Sequence, residues 1–528
     1  MKSWVIGSKA FSNSIMSPSL SYQVTVNMSI VTNSSLINFL IVIATIVFTA
    51  TIYIKYKYSY WKRKGIVQLK PTFPYGNHGS ALPRGIALGG IVKRFYDEFK
   101  KQGLKVGGVY MGLSPYLVVV DPEYAKDILT IDFQYFTDRG IYINKNNPIS
   151  VNILSQEGAE WRESRAKFTN IFTSAKMKYF FETLKRSSEE LRTSLKQFVD
   201  SNKDLDIFET IACYTTDIIG DVIYGIEAGS FKPEGAIIRR LGNELFGQFT
   251  LMDQLKLFIT ICYPGIAKIL NISQIQEHIG SFFIKFFKDA MEYREANNIK
   301  RADFLELLIE MKKAGVKLTD EEMGSQAFLF FAAGFETSSM SSSLTLMELA
   351  LHQDIQDKVR EEIHAALKKH NGQVSYEMLK ELTLLDKAFN ETVRRYPPLS
   401  AITRTCVKDY KFRNSDISIE KGTPVILPLI GYHANPDYYP DPLKWDINRF
   451  QDKNEKHVGF YPFGDGPRNC IGSRFGIMQV RLGLVSVLRD YKVTVSPNTK
   501  LPLKFHENTF VTNTIDPVLL RIESVKKD

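Results

Sequence analysis

The sequence predicts a mainly α-helical protein with a minor β part, built as one large domain behind a single membrane-spanning helix. Long stretches with helical periodicity alternate with only a few short strand-like runs. A run of 19 uncharged residues lies near the N-terminus. After about residue 81, no repeat, low-complexity stretch or second linker divides the chain. The content of 44% hydrophobic and 23% charged residues excludes a wholly disordered, collagen-like or multi-span membrane protein.

The uncharged run, Leu36–Ile54, predicts the membrane helix. Nineteen helical residues at about 1.5 Å each span roughly the 30 Å hydrocarbon core of a bilayer. A buried core helix is the alternative, but such a helix usually carries a polar stripe, and only four clearly polar residues interrupt this run. A cleaved signal peptide is disfavoured because bulky aromatic and basic residues follow the run where a small-residue cleavage site would be needed.

The net charge of +10 comes from the N-terminal part of the chain. The first 96 residues contain eleven Lys or Arg and no acid, whereas the remaining 432 contain 56 basic and 57 acidic residues. This near-neutral body excludes a basic nucleic-acid-binding surface as the origin of the net charge, and we expect no nucleic-acid partner. The basic residues that follow the uncharged run predict that this flank lies in the cytosol. They are Lys55, Lys57, Lys62, Arg63 and Lys64.

These observations divide the chain into four predicted segments. An N-terminal extension over 1–35 is expected in the lumen, followed by the transmembrane anchor over 36–54. A basic, proline-rich linker over 55–80 leads to a large soluble domain over 81–528. The sequence therefore predicts a near-neutral domain held at the cytoplasmic side of a membrane by a single-pass anchor.

Three helices of the large domain follow from capping and stop signals. The pattern of a capping box over Thr319–Glu322 opens a helix that is apolar on every side, which predicts a course through the interior. A second helix is predicted over about Leu384–Tyr396, where two prolines stop it, and a third begins just after Cys470. Tyr116–Val120 and Thr423–Leu429 are predicted strands.

Cys470 carries the strongest chemical signal in the chain. The four cysteines lie far apart without a CxxC pair, which argues against a disulfide framework and a structural zinc site. Three glycines within Phe463–Gly472 let the backbone turn tightly and approach a flat ligand. The start of a helix at Cys470 favours the thiolate, and Arg468 can pair with an acidic group of the ligand. A buried structural cysteine is the alternative, but the pattern is typical of a haem-iron thiolate ligand.

The pattern FxxGxRxCxG over Phe463–Gly472 resembles the cysteine motif of the cytochrome P450 superfamily. The family's ExxR motif matches Glu391 and Arg394, 79 residues before the cysteine, and this spacing along a helix allows an ion pair. Arg449 matches the arginine that completes the pair in the family, although Ile447-Asn448 replaces the usual Pro-Glu before it. The resemblance implies that these three charged residues stabilise the core on the haem side and take no part in turnover.

The segment 333–338 resembles the oxygen-binding part of the same family. Gly334 is expected to leave room beside the haem, while Thr337 offers a hydroxyl to dioxygen or water and Glu336 supplies an acidic group nearby. The resemblance implies that Thr337 and Glu336 are the catalytic residues of proton delivery. A threonine inside a helix also bonds back to the carbonyl of the preceding turn, and this alternative stays open.

The resemblance implies haem b, iron protoporphyrin IX, with Cys470 as the axial ligand of the iron. Trp161 and Arg165 match the family's WxxxR helix, which contacts the haem propionates, and Arg404 matches a further propionate-binding arginine. The predicted cofactor-binding residues are Cys470, Arg468, Trp161, Arg165, Arg404, Phe463 and Gly334. The predicted lining of the substrate cavity is Phe331, Ala332, Ala333, Leu399 and Ile402.

Among P450 enzymes, the chain looks most like the insect family-six microsomal monooxygenases, on Trp61–Gly65, Lys70–Pro74 and Phe330–Ser339. The resemblance implies insertion of one atom of dioxygen into a xenobiotic, plant toxin, insecticide or endogenous lipid, at the cytoplasmic face of the endoplasmic reticulum membrane. Two alternatives remain at this point. One is a haem-thiolate isomerase or dehydratase acting on peroxides, and the other is a non-catalytic, membrane-anchored protein that binds haem or a lipophile.

A partner must supply the electrons, because the chain contains no dinucleotide-binding fingerprint. The resemblance implies NADPH–cytochrome P450 reductase, with cytochrome b5 as an additional partner. The segment 161–178 has five basic residues against one acid and is a candidate reductase face, although such faces are usually only solvated. The apolar segment Leu245–Leu270 is implied to roof the cavity and dip into the membrane, with ordinary core helices as the alternative.

Overall fold

The computed structural model describes residues 18–525 except 79–87, 202, 233–235, 248, 302, 317, 452–456, 507, 508 and 510. The chain forms two compact units, Met1–Tyr60 and Trp61–Asp528. The described part is mostly helical with a small β part, as predicted. The α-helices of this part are α1 (Pro18–Lys57), α2 (Tyr60–Arg63), α3 (Leu88–Lys101), α4 (Pro122–Lys126), α5 (Gly158–Thr169), α6 (Ser174–Ser201), α7 (Ile207–Ile219), α8 (Ala236–Phe246), α9 (Leu251–Cys262), α10 (Pro264–Ile269), α11 (Glu277–Ala296), α12 (Phe304–Lys313), α13 (Asp320–Leu351), α14 (Gln353–Lys369), α15 (Tyr376–Leu379), α16 (Thr383–Arg395), α17 (Leu429–His433) and α18 (Ser473–Leu488).

Helix α1 contains the predicted membrane helix. Its part Ser35–Lys57 is long and apolar enough to cross a bilayer, and none of its most apolar window is buried. Three threonines in this part donate their hydroxyls to carbonyls one turn back, as Thr49 does to Thr45 at 2.7 Å. These bonds satisfy the polar side chains within the helix itself, which is what a lipid surrounding requires.

The strands of the described part form three small sheets. They are β1 (Val106–Met111), β2 (Ser114–Val119), β3 (Leu205–Asp206), β4 (Ile402–Thr405), β5 (Tyr410–Lys411), β6 (Ser418–Ile419), β7 (Pro424–Leu427), β8 (Tyr491–Val495) and β9 (Leu519–Ser524). The largest sheet has the order β1-β2-β7-β4, in which β2 and β7 are parallel and the other pairs antiparallel. Leu117 pairs with Val425, and Val425 pairs in turn with Arg404 on β4. This register brings the predicted propionate-binding arginine next to a buried central strand.

Helix α13 runs through the interior of the larger unit, as its all-round apolar sequence predicts. The capping box at its start is confirmed, since the Thr319 hydroxyl accepts the Glu322 N–H at 3.1 Å and the Glu322 carboxylate accepts the Thr319 N–H at 2.7 Å. The helix packs against α7, α11, α16 and α18. It is therefore the central helix of this unit, and other helices that contribute to the site pack against it.

The other predicted elements are confirmed with shifts of one to three residues. The helix predicted over Leu384–Tyr396 is α16, Thr383–Arg395, and the helix predicted after Cys470 is α18, which begins at Ser473. The strand predicted over Thr423–Leu429 ends at Leu427, because Pro428 breaks the ladder and α17 begins at the next residue. The second predicted strand is β2, two residues earlier at its start.

The segment predicted as a linker over 55–80 includes residues of the larger unit, which begins at Trp61. Trp61 is fully buried, and its indole N–H donates to the Val109 carbonyl at 3.1 Å. A Cβ on Gly108 would lie 2.3 Å from the Trp61 ring, so only glycine allows this approach. Further along, the Tyr263 hydroxyl donates to the Pro74 carbonyl at 2.5 Å. Trp61 and Pro74 are therefore bonded within the larger unit.

Candidate functional site

An internal cavity of about 310 Å³ lies beside α13 in the larger unit. Its lining comes from α5, α13, the start of α18, β4 and the loop before Cys470. Most of the lining side chains are apolar, and four arginines line one part of it. All seven predicted cofactor-binding residues line this single cavity: Cys470, Arg468, Trp161, Arg165, Arg404, Phe463 and Gly334.

The loop before Cys470 is shaped by two glycines in the left-handed region. Gly464 has φ 70° and Gly466 has φ 68°, and a Cβ on Gly466 would lie 1.8 Å from the Leu129 carbonyl oxygen. The Cys470 N–H then donates to the Phe463 carbonyl at 2.8 Å, which closes the loop. This geometry aims the sulfur into the cavity, and no residue with a side chain fits at Gly466 without strain.

The Cys470 thiol lies deep in the protein yet has accessible surface, because it faces the cavity. Burial raises its pKa, while the Gly472 N–H and the guanidinium groups of Arg139 and Arg165 oppose this shift. The sequence led us to expect a thiolate favoured by the helix start, whereas the net effect of the surroundings is a raised pKa of the thiol, because burial outweighs the opposing contributions. A metal cation bound to the sulfur removes the proton outright.

Three arginines of the site leave a guanidinium nitrogen without a hydrogen-bond partner among the described residues. These are the buried Nε atoms of Arg139, Arg404 and Arg468. Burial, together with mutual repulsion, lowers the pKa of Arg468 to about 9 and that of Arg404 well below its ordinary value. Such a cluster is stable only beside negative charge, so it fits an anionic ligand group.

Arg139 belongs to this cluster, and sequence reasoning missed it. Its Nη2 donates to the Arg468 carbonyl at 3.1 Å, and burial lowers its pKa to about 10. Arg139 lies in the irregular segment between α4 and α5, where no motif or periodicity marks it. Only the tertiary structure brings it to the cavity.

Trp161 and Arg165 on α5 hold the cysteine loop from the side. The guanidinium carbon of Arg468 lies 4.4 Å from the centre of the Trp161 ring, a cation–π contact. Arg165 donates to the Asn469 carbonyl at 2.9 Å and to its side-chain oxygen at 2.7 Å. Arg165 therefore points into the protein and is not part of the predicted basic surface over 161–178.

Glu391, Arg394 and Arg449 form a buried ion network beside the site. The two side chains of the ExxR motif are fully buried and joined by two hydrogen bonds of 2.7 Å. The Arg449 Nε lies 3.3 Å from Glu391, despite the Ile447-Asn448 departure before it. Within the 3₁₀ turn 447–450 the backbone brings this arginine to the network.

The cavity face of α13 differs from the predicted one. Phe330, Ala333, Gly334 and Thr337 line the cavity, at helical spacings of three, one and three residues. Phe331 was predicted in the lining and this is wrong, since its buried ring packs 4.7 Å from the ring of Phe283, away from the cavity.

Ala332 was also predicted in the lining, and this is wrong for the same reason. It is buried on the side of α13 that faces away from the cavity. Because the sequence of this helix is apolar on every side, it does not indicate which face of the helix lines the cavity. The other three predicted lining residues, Ala333, Leu399 and Ile402, do line the cavity.

Gly334 and Thr337 both line the cavity, and each also makes a contact that the sequence did not predict or left as an alternative. A Cβ on Gly334 would lie 2.5 Å from Ile219 on α7, so this glycine also permits the close packing of two helices. The Thr337 hydroxyl donates to the Ala333 carbonyl at 2.8 Å, the back-bond of the alternative interpretation. Its oxygen still has a free acceptor site toward the cavity.

Glu336 points away from the cavity, toward α7 and α8. Burial raises its pKa to about 7, a shift that Arg239 opposes and Glu209 adds to. Arg239 is itself buried and donates to both oxygens of Glu209, at 3.2 and 2.8 Å. The Glu209 side chain is half exposed. Glu336 thus lies on the side of α13 that faces away from the cavity, where it faces the Arg239–Glu209 ion pair, and this pair reaches solvent.

The cavity as a whole fits haem b. Its lining offers a thiol, many apolar side chains and a cluster of arginines whose buried Nε atoms have no hydrogen-bond partner among the described residues. A flat, apolar, metal-containing ring with two carboxylates matches each of these features. Among the described residues, no group of three or more His, Cys, Asp or Glu side chains forms another metal site.

Known proteins are similar in sequence to nearly the whole chain. A family model described as Cytochrome P450 matches residues 74–521. The chain is 37% identical to "Probable cytochrome P450 6a14" of Drosophila melanogaster over 490 residues, covering 89% of this chain and 96% of that protein. It is 33% identical to "Cytochrome P450 6k1" of Blattella germanica over 516 residues (93% and 98%), and 34% identical to "Cytochrome P450 6A1" of Musca domestica over 493 residues (90% and 96%).

Proposed function

The chain belongs to the cytochrome P450 family as a monooxygenase, and we propose that Cys470 is the axial thiolate ligand of its haem iron. The observation that carries this proposal is one cavity that is lined by a thiol, an apolar helix and three arginines, each with its Nε buried and without a hydrogen-bond partner among the described residues. Arg139, Arg404 and Arg468 would hold the propionates, and Trp161 would pack beside them. Haem, once bound, supplies dioxygen activation and transfer of one oxygen atom.

The substrate is proposed to be a lipophilic small molecule, namely a xenobiotic, plant toxin, insecticide or endogenous lipid. Ala333, Leu399 and Ile402 support this class, since they present apolar surface to the cavity, and Thr337 is one of the polar residues in the same lining. An apolar lining of this kind binds through burial of apolar area and lets substrates of several shapes enter.

Thr337 and Glu336 are proposed to deliver protons to the oxygen side of the haem. The pKa of about 7 at Glu336 allows the group to hold and release a proton near neutral pH. The Arg239–Glu209 pair connects its surroundings to solvent. The free acceptor site of the Thr337 hydroxyl would orient a water or dioxygen in the cavity, while its back-bond to Ala333 fixes the rotamer.

Electrons are proposed to come from NADPH through a separate cytochrome P450 reductase, with cytochrome b5 as an additional donor. The exposed basic residues of α5 and α6 support docking of an acidic partner, as Arg162 does. Lys167 and Lys178 are less available, because each forms an ion pair, with Glu163 and Glu377.

We propose an endoplasmic reticulum location, with α1 as a single-pass anchor and the catalytic domain on the cytoplasmic side. The basic flank after the apolar part of α1 supports this topology. Helices α9 and α10 support contact with a membrane surface, because they expose several large apolar side chains while burying others. The exposed ones are Leu251, Met252, Leu255, Ile266 and Ile269.

The deciding experiment combines a spectrum with a product. Full-length protein in reductase-containing vesicles should consume NADPH and yield a product one oxygen atom heavier than an apolar substrate. A Cys470→His protein should lose the red-shifted Soret band of its reduced carbon monoxide complex. Cys406→Ser is the matched control, because Cys406 is buried elsewhere and should leave the band unchanged. Retention of the band in Cys470→His, or product formed from a peroxide without reductase, would contradict the proposal.

A further inference from the structure

The five-residue helix α17 spans the distance between the cavity and the buried ion network. Its first residue, Leu429, lines the cavity, and its last, His433, is 1% exposed. We propose that His433 is a positioning residue, which ties the loop that carries Cys470 to the Glu391–Arg394 network. This inference rests on the proposed role of Cys470 and adds a residue to which neither the sequence motifs nor that role points.

The main chain of His433 is held by the ion network. Arg394 Nη1 donates to the His433 carbonyl at 2.7 Å, while Nε and Nη2 of the same guanidinium bond Glu391. Both charged side chains are fully buried, so the network has little freedom to move. The end of α17 is therefore a fixed point in the core.

The imidazole of His433 reaches the cysteine loop from that fixed point. The Tyr461 N–H donates to His433 Nε2 at 3.4 Å, and the Phe460 ring lies 5.4 Å from the imidazole. Tyr461 and Phe463 both line the cavity, and the Phe463 carbonyl accepts the Cys470 N–H. The His433 side chain thus binds the loop at Tyr461, two residues before Phe463, whose carbonyl bonds the Cys470 backbone.

The imidazole is a neutral acceptor under all physiological conditions. Burial lowers the pKa of His433 to about 3, and the Arg394 guanidinium adds to this shift, while the carbonyls of Val393 and Arg394 oppose it. A neutral ring with Nε2 unprotonated accepts the Tyr461 N–H, while Nδ1 carries the proton and is buried without a hydrogen-bond partner among the described residues. The link is therefore a neutral hydrogen bond and is not a pH switch.

The Soret spectrum of the reduced carbon monoxide complex tests this role. In His433→Leu, which removes the acceptor, we expect the ratio of red-shifted to unshifted form to fall about fivefold or more. In His433→Gln, whose amide oxygen can accept the Tyr461 N–H, most of the ratio should return. Tyr432→Phe is the matched control on the same helix, because it loses a buried hydrogen bond to Val119 and keeps the ring that lies 6.5 Å from the Tyr461 ring. It should lower the melting temperature and leave the ratio unchanged.

Two outcomes would overturn the inference separately from the proposed function. If wild-type protein shows the red-shifted band and His433→Leu keeps the full ratio while losing stability, His433 only packs the core. If wild-type protein lacks the band, the role of Cys470 fails instead. Should His433→Leu not accumulate, amide hydrogen exchange of the haem-loaded wild-type protein decides. The Tyr461 amide should exchange far more slowly than that of exposed Val458, and equal rates would refute the link.

Discussion

On one side of the cavity the chain turns through Gly464 and Gly466 to present Cys470, whereas on the other it runs through the regular helix α13. The wall formed by the loop before Cys470, here called the cysteine wall, has a tightly restricted backbone conformation. Two of its glycines adopt positive φ, and a hydrogen bond from the Cys470 N–H to the Phe463 carbonyl closes the loop. The helix wall can present any of its faces. A loop built on special backbone angles is therefore readable from its residues, but the rotation of an apolar helix is not.

A Cβ at Gly466 should break the cysteine wall. For Gly466→Ala we expect a loss of about 4 kcal/mol in unfolding free energy, roughly half from the positive φ and half from the clash with the Leu129 carbonyl. Haem content after reconstitution should fall together with the melting temperature. Gly265→Ala is the control, because a Cβ there meets no atom within 4 Å in the described part of the chain. A tolerated Gly466→Ala would show that the loop is not conformationally unique.

Two neighbouring phenylalanines test which face of α13 forms the wall. Phe331→Ala should cost about 3 kcal/mol of stability, because its ring is fully buried against Phe283, yet leave the affinity for spin-state-shifting ligands unchanged. Phe330→Ala should alter those affinities, because Phe330 lines the cavity. Ligand titrations followed by the Soret shift, with melting temperatures, separate the two effects. The reverse pattern would place Phe331 on the wall.

Removal of one arginine from the cluster should have opposite effects on the stability of the haem-free protein and on the retention of haem. Arg404→Met removes a buried guanidinium that Arg139 and Arg468 repel, so haem-free protein should gain about 1 kcal/mol or lose none. Haem should then dissociate about tenfold faster, measured by transfer to apomyoglobin. The surface pair of Arg413 with Asp132 supplies the control, and Arg413→Met should change neither quantity noticeably. Equal destabilisation with and without haem would contradict an anion-binding role.

The smallest predicted effect concerns Glu336, which lies on the side of α13 that faces away from the cavity. Its pKa is raised from 4.5 to about 7, so the folded state binds the proton more tightly than the unfolded chain. Stability from this group is present at low pH and is lost as the pH rises toward 7. Wild-type protein should therefore lose about 1 kcal/mol relative to Glu336→Gln between about pH 6 and about pH 7.5. Melting curves of both proteins across this range provide the measurement, and a constant difference would contradict burial of the carboxyl group.

Sequence reasoning named many of the residues that line the cavity, but it did not find all of them. It found Cys470, Arg468 and Arg404 because each belongs to a pattern with fixed spacing or neighbours. It missed Arg139, a single arginine in an irregular loop, because long-range folding alone brings it to the cavity. It misplaced Phe331, because nothing in a uniformly apolar helix marks which side meets a cavity.

The sequence by itself determined the family, the membrane-helix candidate, the capping box at Thr319 and the tight glycine turns before Cys470. Each depends on residues close together in the chain, where glycine, charge and capping side chains act locally. The tertiary structure alone decided the phase of α13, the arrangement of Arg139 beside Arg468 and the bond between His433 and Tyr461. These depend on packing between segments far apart in sequence, which local residue patterns do not encode.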